Sequence, residues 1–303
     1  MTDLRVRLGP LKLATPLVAA SGTVGSVDDF AAVGALDAYG AAVAKSVAPA
    51  PWPGRPAPRM APAGAGMLNG IGIQNPGIEA WTAAHAPALG TLPTQVWGSA
   101  VGGTPEDFAV VAKALESAGV TAVEINLSCP NIEGEGIFAL DPGASASVVR
   151  AVRSAVSVPI GAKLSPNAVD IAAVAGAVAG AGADWVVLTN TALGARIDVE
   201  TRRPVLSGTI GGYSGAPLKP LSLRCVIEVH AALPDLPIVG CGGVASGEDV
   251  VEYLMAGASA VAIGTLHFAE PAGGRRILRE LGRWLRRHHV AAVRDLTGAM
   301  EVW

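Results

Sequence analysis

The fold is decided near the end of the chain by the stretch Ile238-Val239-Gly240-Cys241-Gly242-Gly243-Val244-Ala245-Ser246-Gly247-Glu248-Asp249. Its apolar run, 237–240, has the length and composition of a buried strand, and the glycine pair ends it. Ser246 then stands where a helix begins, with acidic residues in the first turn. A second apolar run, 260–263, ends in the same way at Gly264-Thr265. Both units therefore predict a strand that opens into a glycine turn.

Outward from these two units, short apolar runs alternate with stretches of helical periodicity, such as 106–118 and 145–155. The eight runs predicted as strands are 16–20, 41–45, 93–97, 122–126, 160–164, 185–189, 237–240 and 260–263. Eight such units in 303 residues have the size of a TIM (β/α)8 barrel, which is an α/β fold. A doubly wound open sheet is the alternative, but no GxGxxG pattern follows the first run.

Two features lie outside this repeat. Residues 5–8, a Gly9-Pro10 turn and residues 11–13 predict a short N-terminal β-hairpin. The connections 46–80 and 191–219 are longer than the others, and long insertions in a compact domain are usually functional loops. Because both follow strands, we expect these inserted loops on the C-terminal, catalytic face of the barrel. We expect residues 1–303 to form a single domain.

Composition and charge exclude several classes of protein. The net charge is −3 at pH 7 and only 16% of residues are charged, so nothing favours nucleic acid or an anionic membrane as partner. No run of sufficient length to span a bilayer is free of Gly, Pro or charge, and no apolar leader begins the chain, so we expect a cytoplasmic protein. The three cysteines lie far apart without a Cys/His grouping, so no metal site is predicted.

Polar residues or glycines stand at the ends of seven predicted strands. In chain order they are Ser21-Gly22, Lys45-Ser46, Asn126, Lys163, Asn190-Thr191, Gly242-Gly243 and Gly264-Thr265. One such position means little, but seven together predict ligand contacts around one cavity. The last two suit a phosphate, because backbone N–H groups after strands seven and eight of a barrel often bind one. The alternative is that these glycines only make tight turns.

Two lysines, Lys45 and Lys163, end strands in an otherwise apolar interior. A buried ammonium without an opposite charge is expensive, so each is predicted to face an anion. Near a flavin, such a cation stabilises the reduced, negatively charged ring. The alternatives are a Schiff-base lysine of an aldolase-type barrel and a structural salt bridge.

The segment Asn126-Leu127-Ser128-Cys129-Pro130-Asn131 puts a thiol among polar residues just beyond the fourth strand. A partly exposed thiol can act as base or nucleophile, although spacing alone does not separate this from a structural role.

Cys225 and Cys241 are predicted as buried hydrophobes. The arginines between positions 275 and 287 predict a solvated helix face, with an anion or partner contact as the alternative. Surface or helix-cap positions are predicted for His85, His230, His267, His288 and His289.

Taken together, these motifs resemble class 1 dihydroorotate dehydrogenases. The matching segments are Lys45-Ser46, 67–77, 126–131, 163–167, 198–201, 211–215, Gly242-Gly243 and Gly264-Thr265, in order and at sensible spacing. The version Gln74-Asn75-Pro76-Gly77 is similar to class 1B. Members of class 1B pair with an FAD and iron–sulfur electron-transfer subunit and pass electrons to NAD.

The resemblance implies that the chain oxidises dihydroorotate to orotate with bound FMN. It implies that Cys129 removes the proton from C5 while C6 gives a hydride to N5 of FMN. The implied substrate-binding residues are Lys45, Asn69, Gly70, Ile71, Gly72, Ile73, Asn126, Asn131, Asn190 and Thr191. The implied FMN-binding residues are Ser21, Gly22, Lys45, Ser46, Asn126, Lys163, Gly215, Gly242, Gly243, Gly264 and Thr265. A homodimer is implied, or a heterotetramer with the electron-transfer subunit.

Three positions depart from the class 1B pattern. Gly70 stands where Ser is usual, Val24 stands where Phe is usual, and the segment 132–138 is acidic although the substrate is an anion. We expect these departures to affect fine specificity and the partner surface rather than the reaction class. Two other functions stay open. One is a flavin barrel that reduces another pyrimidine, as in the similar module of dihydropyrimidine dehydrogenases, and the other is a flavin-free lyase or aldolase that uses Lys163.

Overall fold

The computed structural model describes residues 2–127 and 138–303. In chain order its strands are β1 (Val6–Leu8), β2 (Leu11–Leu13), β3 (Leu17–Ala19), β4 (Ala41–Val43), β5 (Met60–Ala63), β6 (Gly66–Asn69), β7 (Gln95–Ala100), β8 (Ala122–Asn126), β9 (Ile160–Lys163), β10 (Trp185–Leu188), β11 (Ala192–Gly194), β12 (Ile197–Asp198), β13 (Arg203–Pro204), β14 (Gly211–Gly215), β15 (Ile238–Cys241) and β16 (Ala260–Ile263). Its α-helices are α1 (Ile78–Leu89), α2 (Pro105–Ala118), α3 (Pro142–Ala155), α4 (Ile171–Gly180), α5 (Lys219–Ala232), α6 (Gly247–Met255) and α7 (Gly273–Arg287).

Eight of these strands close into a barrel in the order β3, β4, β7, β8, β9, β10, β15 and β16, with β16 pairing back to β3. All neighbouring barrel strands are parallel. In the described chain an α-helix follows every barrel strand except β3, whose connection to β4 is made by short 3-10 helices at 28–30 and 36–38. The predicted TIM barrel is confirmed, and every predicted strand overlaps an observed one.

Capping residues set where the helices begin. The Thr104 hydroxyl accepts a hydrogen bond from the Asp107 N–H, and the Asp107 carboxylate accepts one from the Thr104 N–H, so α2 starts at once after Thr104. Asp141 caps α3 by accepting from the Ala144 N–H, and Pro142 suits the first helical position. For this reason α3 starts before the predicted stretch 145–155. None of the helices in the described ranges is long and apolar enough to cross a membrane.

Two indole rings fill the barrel interior. Trp97 of β7 and Trp185 of β10 are fully buried, and their ring centroids lie 5.0 Å apart. Gly161 of β9 makes room for them, since a Cβ there would lie 2.1 Å from the Trp185 ring. Ser99 comes two residues after Trp97 on β7, and Lys163 comes two residues after Gly161 on β9, so both lie nearer the carboxyl ends of the barrel strands. The indoles therefore close the interior below a polar layer.

The two long insertions form more structure than predicted. The predicted N-terminal hairpin is confirmed as β1 and β2, but the segments predicted as loops contribute a four-stranded antiparallel sheet in the order β11, β14, β6 and β5. Met67 and Ser214, which face each other across β6 and β14, are 147 positions apart. Because β6 and β14 are so distant in the chain, their pairing leaves no local hairpin pattern, whereas β5 and β6 form a hairpin with a two-residue turn. The sheet joins the barrel at its carboxyl ends, where both contribute to one cavity.

Candidate active site

A cavity of about 520 Å³ opens at the carboxyl ends of the barrel strands. This volume lies in the range of small-molecule and cofactor sites, about 300–1,000 Å³. Sixteen of the residues that the sequence pointed to line it: Ser21, Gly22, Lys45, Ser46, Asn69, Ile71, Ile73, Asn126, Lys163, Asn190, Thr191, Gly215, Gly242, Gly243, Gly264 and Thr265. A Cβ on Gly70 or Gly72 would have Arg55 as its nearest neighbour. Cys129 and Asn131 lie outside the described residues.

The antiparallel sheet brings one set of amide and hydroxyl groups to the cavity. Asn69 ends β6, and its Nδ2 donates to the carbonyl oxygen of Gly212 at 3.3 Å. Gly212 has to be glycine, because a Cβ there would lie 2.1 Å from the Thr191 hydroxyl oxygen. This close approach holds Asn69 and Thr191 against the same backbone, so residues from the two insertions form one wall.

A second set comes from the barrel strands themselves. Asn126, the last residue of β8, donates from Nδ2 to Ser46 Oγ at 3.0 Å, and Ser46 Oγ lies 2.9 Å from Ser99 Oγ. Asn190 then donates from Nδ2 to Asn126 Oδ1 at 3.4 Å. The chain of bonds links the ends of four strands. It fixes the direction in which the Asn126 and Asn190 amides present their remaining donors and acceptors.

The sequence reasoning missed one buried acid, Glu124. It lies on β8 two residues before Asn126, on the same side of the strand, and is only 3% exposed. Its Oε1 lies 3.9 Å from the Nζ of Lys163, which is 7% exposed. Burial raises the pKa of the Glu124 carboxyl, and the nearby Lys163 ammonium opposes that rise. A charged residue inside an apolar run, in phase with a site residue, is the signal that could have found it.

Cys241 lies beside this pair at the end of β15. The thiol is buried, as predicted, and burial raises its pKa, with Lys163 lowering it and Glu124 raising it further. A thiol held protonated in this way is a poor nucleophile. The structural salt bridge, which was one alternative for Lys163, is present between Lys163 and Glu124, and Lys163 also lines the cavity.

The glycines at the ends of β15 and β16 meet different surroundings. A Cβ on Gly242 would lie 2.3 Å from Ser222 Oγ, and one on Gly243 would lie 2.8 Å from the Lys219 backbone nitrogen. A Cβ on Gly264 would meet nothing closer than the Ala20 Cβ at 3.6 Å, and its φ is not positive. Packing against α5 explains the first two glycines, whereas no protein atom crowds the third, which borders the open cavity.

The surface or cap position predicted for His267 is wrong. This side chain is 2% exposed, with Nδ1 2.9 Å from Thr23 Oγ1 and Nε2 2.7 Å from the Tyr39 hydroxyl. The Thr23 hydroxyl also donates to the Ala20 carbonyl, so the His267 Nδ1–H donates to Thr23 and Nε2 accepts from Tyr39. Burial lowers the pKa of His267 to about 4, which makes it neutral at pH 7. Because Thr23 and Thr265 both line the cavity, a neutral histidine supports the wall after β16.

Charged groups elsewhere are mostly paired. Half-buried His85 lies 2.9 Å from Asp28, with Asp29 close by, and acidic groups often meet in this way without an ion. On α7, Arg276 pairs with Glu270 and Glu280. The arginine-bearing face of α7 is therefore solvated, and salt bridges also fix its side chains. Cys225 is fully buried in α5, as predicted.

The fold and the cavity define a TIM-barrel protein with a small-molecule site at its C-terminal face, whose wall carries two lysines and several side-chain amides suited to an anionic ligand. Comparison with known proteins gives the particular family. The model of the family "Dihydroorotate dehydrogenase" matches residues 3–285. The chain belongs to the dihydroorotate dehydrogenase family, whose members are flavin-dependent. The resemblance read from the motifs is confirmed.

Three relatives carry the name "Dihydroorotate dehydrogenase B (NAD(+)), catalytic subunit". The protein of Geobacter sp. (strain M21) is 42% identical over 302 residues, with 99% of both chains covered. That of Pelobacter propionicus is 43% identical over 301 residues, again with 99% of both covered. That of Listeria monocytogenes is 40% identical over 298 residues, with 98% of both covered. These names agree with the likeness to class 1B.

A solved structure shows the same fold. The crystal structure of DHODH in complex with ferulenol from Eimeria tenella superposes with a TM-score of 0.84, covering 98% of this chain and 88% of that one. The two sequences are 21% identical, so the likeness concerns the architecture alone.

Proposed function

We propose that this chain is the catalytic subunit of an NAD-linked dihydroorotate dehydrogenase, which oxidises (S)-dihydroorotate to orotate in pyrimidine biosynthesis. The observation that carries the proposal is the convergence of Lys45, Lys163 and the amides of Asn69, Asn126 and Asn190 on one cavity. Near full-length identity of 40–43% to relatives of that name supports it. We take residues 1–303 to act as a single cofactor-binding domain.

FMN is the cofactor that we propose for the cavity. Its fit rests on Gly264, where a Cβ would meet no protein atom closer than 3.6 Å, and the glycine pair 242–243 lines the same cavity. Backbone N–H groups there and at Thr265 suit a phosphate. Lys163 supplies a cation for the ring, and the remaining residues proposed to hold FMN are Ser21, Gly22, Lys45, Ser46, Asn126 and Gly215. When bound, FMN supplies a two-electron acceptor for the hydride that leaves C6 of the substrate.

The substrate would lie against the antiparallel sheet. Lys45 offers a positive charge for the carboxylate of dihydroorotate, and the amides of Asn69, Asn126 and Asn190 offer donors and acceptors to the ring. Thr191 and the segment 70–73 complete the proposed substrate site, together with Asn131 outside the described residues. An uncharged pyrimidine gains nothing from a lysine placed for a carboxylate. The site should therefore prefer orotate to uracil.

Cys129 is the proposed base. As a thiolate it takes the proton from C5 while the hydride leaves C6. The electron pair of the broken C5–H bond then forms the C5–C6 double bond of orotate. The side chains around the substrate act by orienting C5 toward this sulfur. Cys129 comes three residues after Asn126, the last residue of β8, whose side chain donates to Ser46 in the cavity wall.

The electrons would leave through a partner. We propose a heterotetramer in which an FAD and iron–sulfur subunit reduces NAD, with the homodimer as its core. The names of the relatives, which call them catalytic subunits linked to NAD, support this. The expected cytoplasmic location stays a prediction.

Two experiments test the proposal. The purified protein should be yellow, and orotate but not uracil should shift the flavin spectrum; a colourless protein, or a borohydride-trapped adduct at Lys163, would favour the lyase alternative instead.

In the second experiment, Cys129→Ala should keep flavin and bind orotate, with turnover nearly abolished at neutral pH. Cys225→Ala is the matched control, because that thiol is buried in α5, and it should turn over normally. Normal turnover by Cys129→Ala would contradict the assignment of the base.

The acceptor is tested separately. Turnover with NAD, fumarate, quinone and oxygen should be compared for the chain alone and for the chain purified with its native partners. Reduction of NAD should require the partner.

A further inference from the structure

We propose that Glu124 is a proton-holding positioning residue for Lys163. In this proposal the Glu124 carboxylate is ionised and paired with Lys163 while the flavin ring that Lys163 would hold is uncharged, and it would take a proton from solvent when that ring gains a negative charge. The inference rests on the proposed function, because it takes the flavin ring as the group that gains the charge. It assigns a role to an acid that the reaction itself does not use.

The geometry of the pair is the first support. Glu124 Oε1 lies 3.9 Å from Lys163 Nζ, too far for a hydrogen bond but close enough for strong attraction at a buried site. In the described part of the chain, Glu124 Oε1 has no hydrogen-bond partner and is out of contact with solvent. A buried carboxylate that is stabilised by a nearby cation loses part of that stabilisation when the cation is shared with another anion.

The surroundings of Glu124 are the second support. Its register neighbours on β7 and β9 are Ser99 and Gly161. Trp97 lies two residues before Ser99 on β7, and Trp185 of β10 is the register neighbour of Gly161. Within the described residues, the Cys241 thiol on β15 is a titratable group that interacts with both members of this pair. Burial raises the pKa of Glu124, so proton binding is accessible to it without a large change in its surroundings.

The charge and proton balance follows from the reaction. A hydride carries two electrons and one proton from C6 of the substrate, so it adds one negative charge to its acceptor. Lys163 is then attracted to that charge, and Glu124 faces one more anion beyond it. A like charge favours the neutral acid, so Glu124 binds one proton from solvent. In all, two electrons and two protons are taken up, and one of those protons lies on Glu124.

The test counts protons by potentiometry of the flavin-loaded protein between pH 5 and pH 9, with dithionite as reductant. Each proton taken up with two electrons lowers the potential by about 30 mV for every tenfold fall in proton concentration. Over the range where Glu124 titrates, the wild type should show two protons per two electrons and Glu124→Gln should show one. Equal slopes in the two proteins would overturn the proposal.

Cys241→Ala is the matched control. Burial raises the pKa of this thiol, so it should stay protonated throughout and the variant should keep the two-proton slope. If Cys241→Ala, rather than Glu124→Gln, loses the proton, the proposal is wrong.

Two further measurements keep the outcomes distinct. If Glu124→Gln does not fold, the infrared difference spectrum of the wild type decides, since reduction should produce the C=O band of a protonated carboxylic acid; a spectrum without that band overturns the proposal. Flavin content and the spectral shift with orotate are measured first. A wild type that binds no flavin contradicts both the proposed function and this inference, whereas normal binding with equal slopes contradicts this inference alone.

Discussion

The ends of β15 and β16 look alike in the sequence, but different parts of the molecule require their glycines. At the end of β15, Gly243 has a φ of +68°, and a Cβ would collide with Lys219 at 2.8 Å. At the end of β16, Gly264 has neither a positive φ nor a close neighbour, and it lines the cavity. The protein's own packing requires the first, and space for a ligand explains the second. A glycine at a strand end indicates a ligand only when the protein does not need it.

The largest effect is expected for Gly243→Ala. The left-handed backbone costs about 1–2 kcal/mol for a residue with a Cβ, and overpacking against Lys219 adds about 1–3 kcal/mol. The free energy of unfolding should therefore fall by about 2–5 kcal/mol, measured by denaturant titration of the apoprotein. Gly264→Ala is the control in the same titration, and equal losses for the two variants would remove the distinction between the two ends.

The β16 end should also show the stronger pH dependence, through His267. Burial lowers its pKa from 6.5 to about 4, so below pH 6.5 the unfolded chain binds a proton that the folded chain does not. Stability contributed by neutral His267 is thus lost as the pH falls from about 6.5 to 4, by about 3 kcal/mol in all. Denaturant titrations of the apoprotein across this range measure it. His267→Gln should lose this part of the slope, and a variant with an unchanged slope would show that His267 is not its source.

A smaller effect, confined to the ligand, is expected for Gly264→Ala. The methyl group should enter the cavity and weaken flavin binding by about tenfold or more, since overpacking costs about 1–3 kcal/mol. The unfolding free energy of the apoprotein should change by no more than about 0.5 kcal/mol. Fluorescence titration with FMN measures the affinity. Unchanged affinity would mean that the cavity is not the reason for this glycine.

The smallest effect is expected in the segment 70–73. Here too, the space around a Cβ separates one glycine, Gly70, from another, Gly72. A Cβ on Gly70 would make ordinary contact with Arg55 at 3.5 Å, so Gly70→Ser should change the unfolding free energy by about 0.5 kcal/mol or less. Gly72 has a φ of +71°, and a Cβ would lie 2.6 Å from the Arg55 backbone nitrogen. Gly72→Ser is therefore the destabilised control. A Gly70→Ser variant as unstable as Gly72→Ser would contradict this account.

Much of the fold and of the site was predictable because it depends on short-range order. Apolar runs of strand length predicted all eight barrel strands, and the residues after them predicted the cavity wall, from Ser21-Gly22 to Gly264-Thr265. Parallel strands of a barrel end on the same face, so a polar residue at each end is enough to place it. The base, Cys129, stays a prediction from its motif.

What could not be predicted depends on pairing across the chain. In the four-stranded sheet β6 pairs with β14 across 147 positions, and two strands that far apart share no hairpin turn from which the pairing could be predicted. His267 looked like a surface residue because its partners, Thr23 and Tyr39, come from the other end of the chain.

The sequence by itself determined the barrel, the family and the side chains at its strand ends, because alternation, glycine punctuation and motifs are local properties. Only the tertiary structure decided which of those side chains meet. It put Glu124 within 3.9 Å of Lys163, and it separated the glycines that packing requires from the one that faces the cavity. The physical reason is that burial and close approach are properties of pairs of segments, and they set the pKa of a carboxyl or the cost of a methyl group only once the chain has closed.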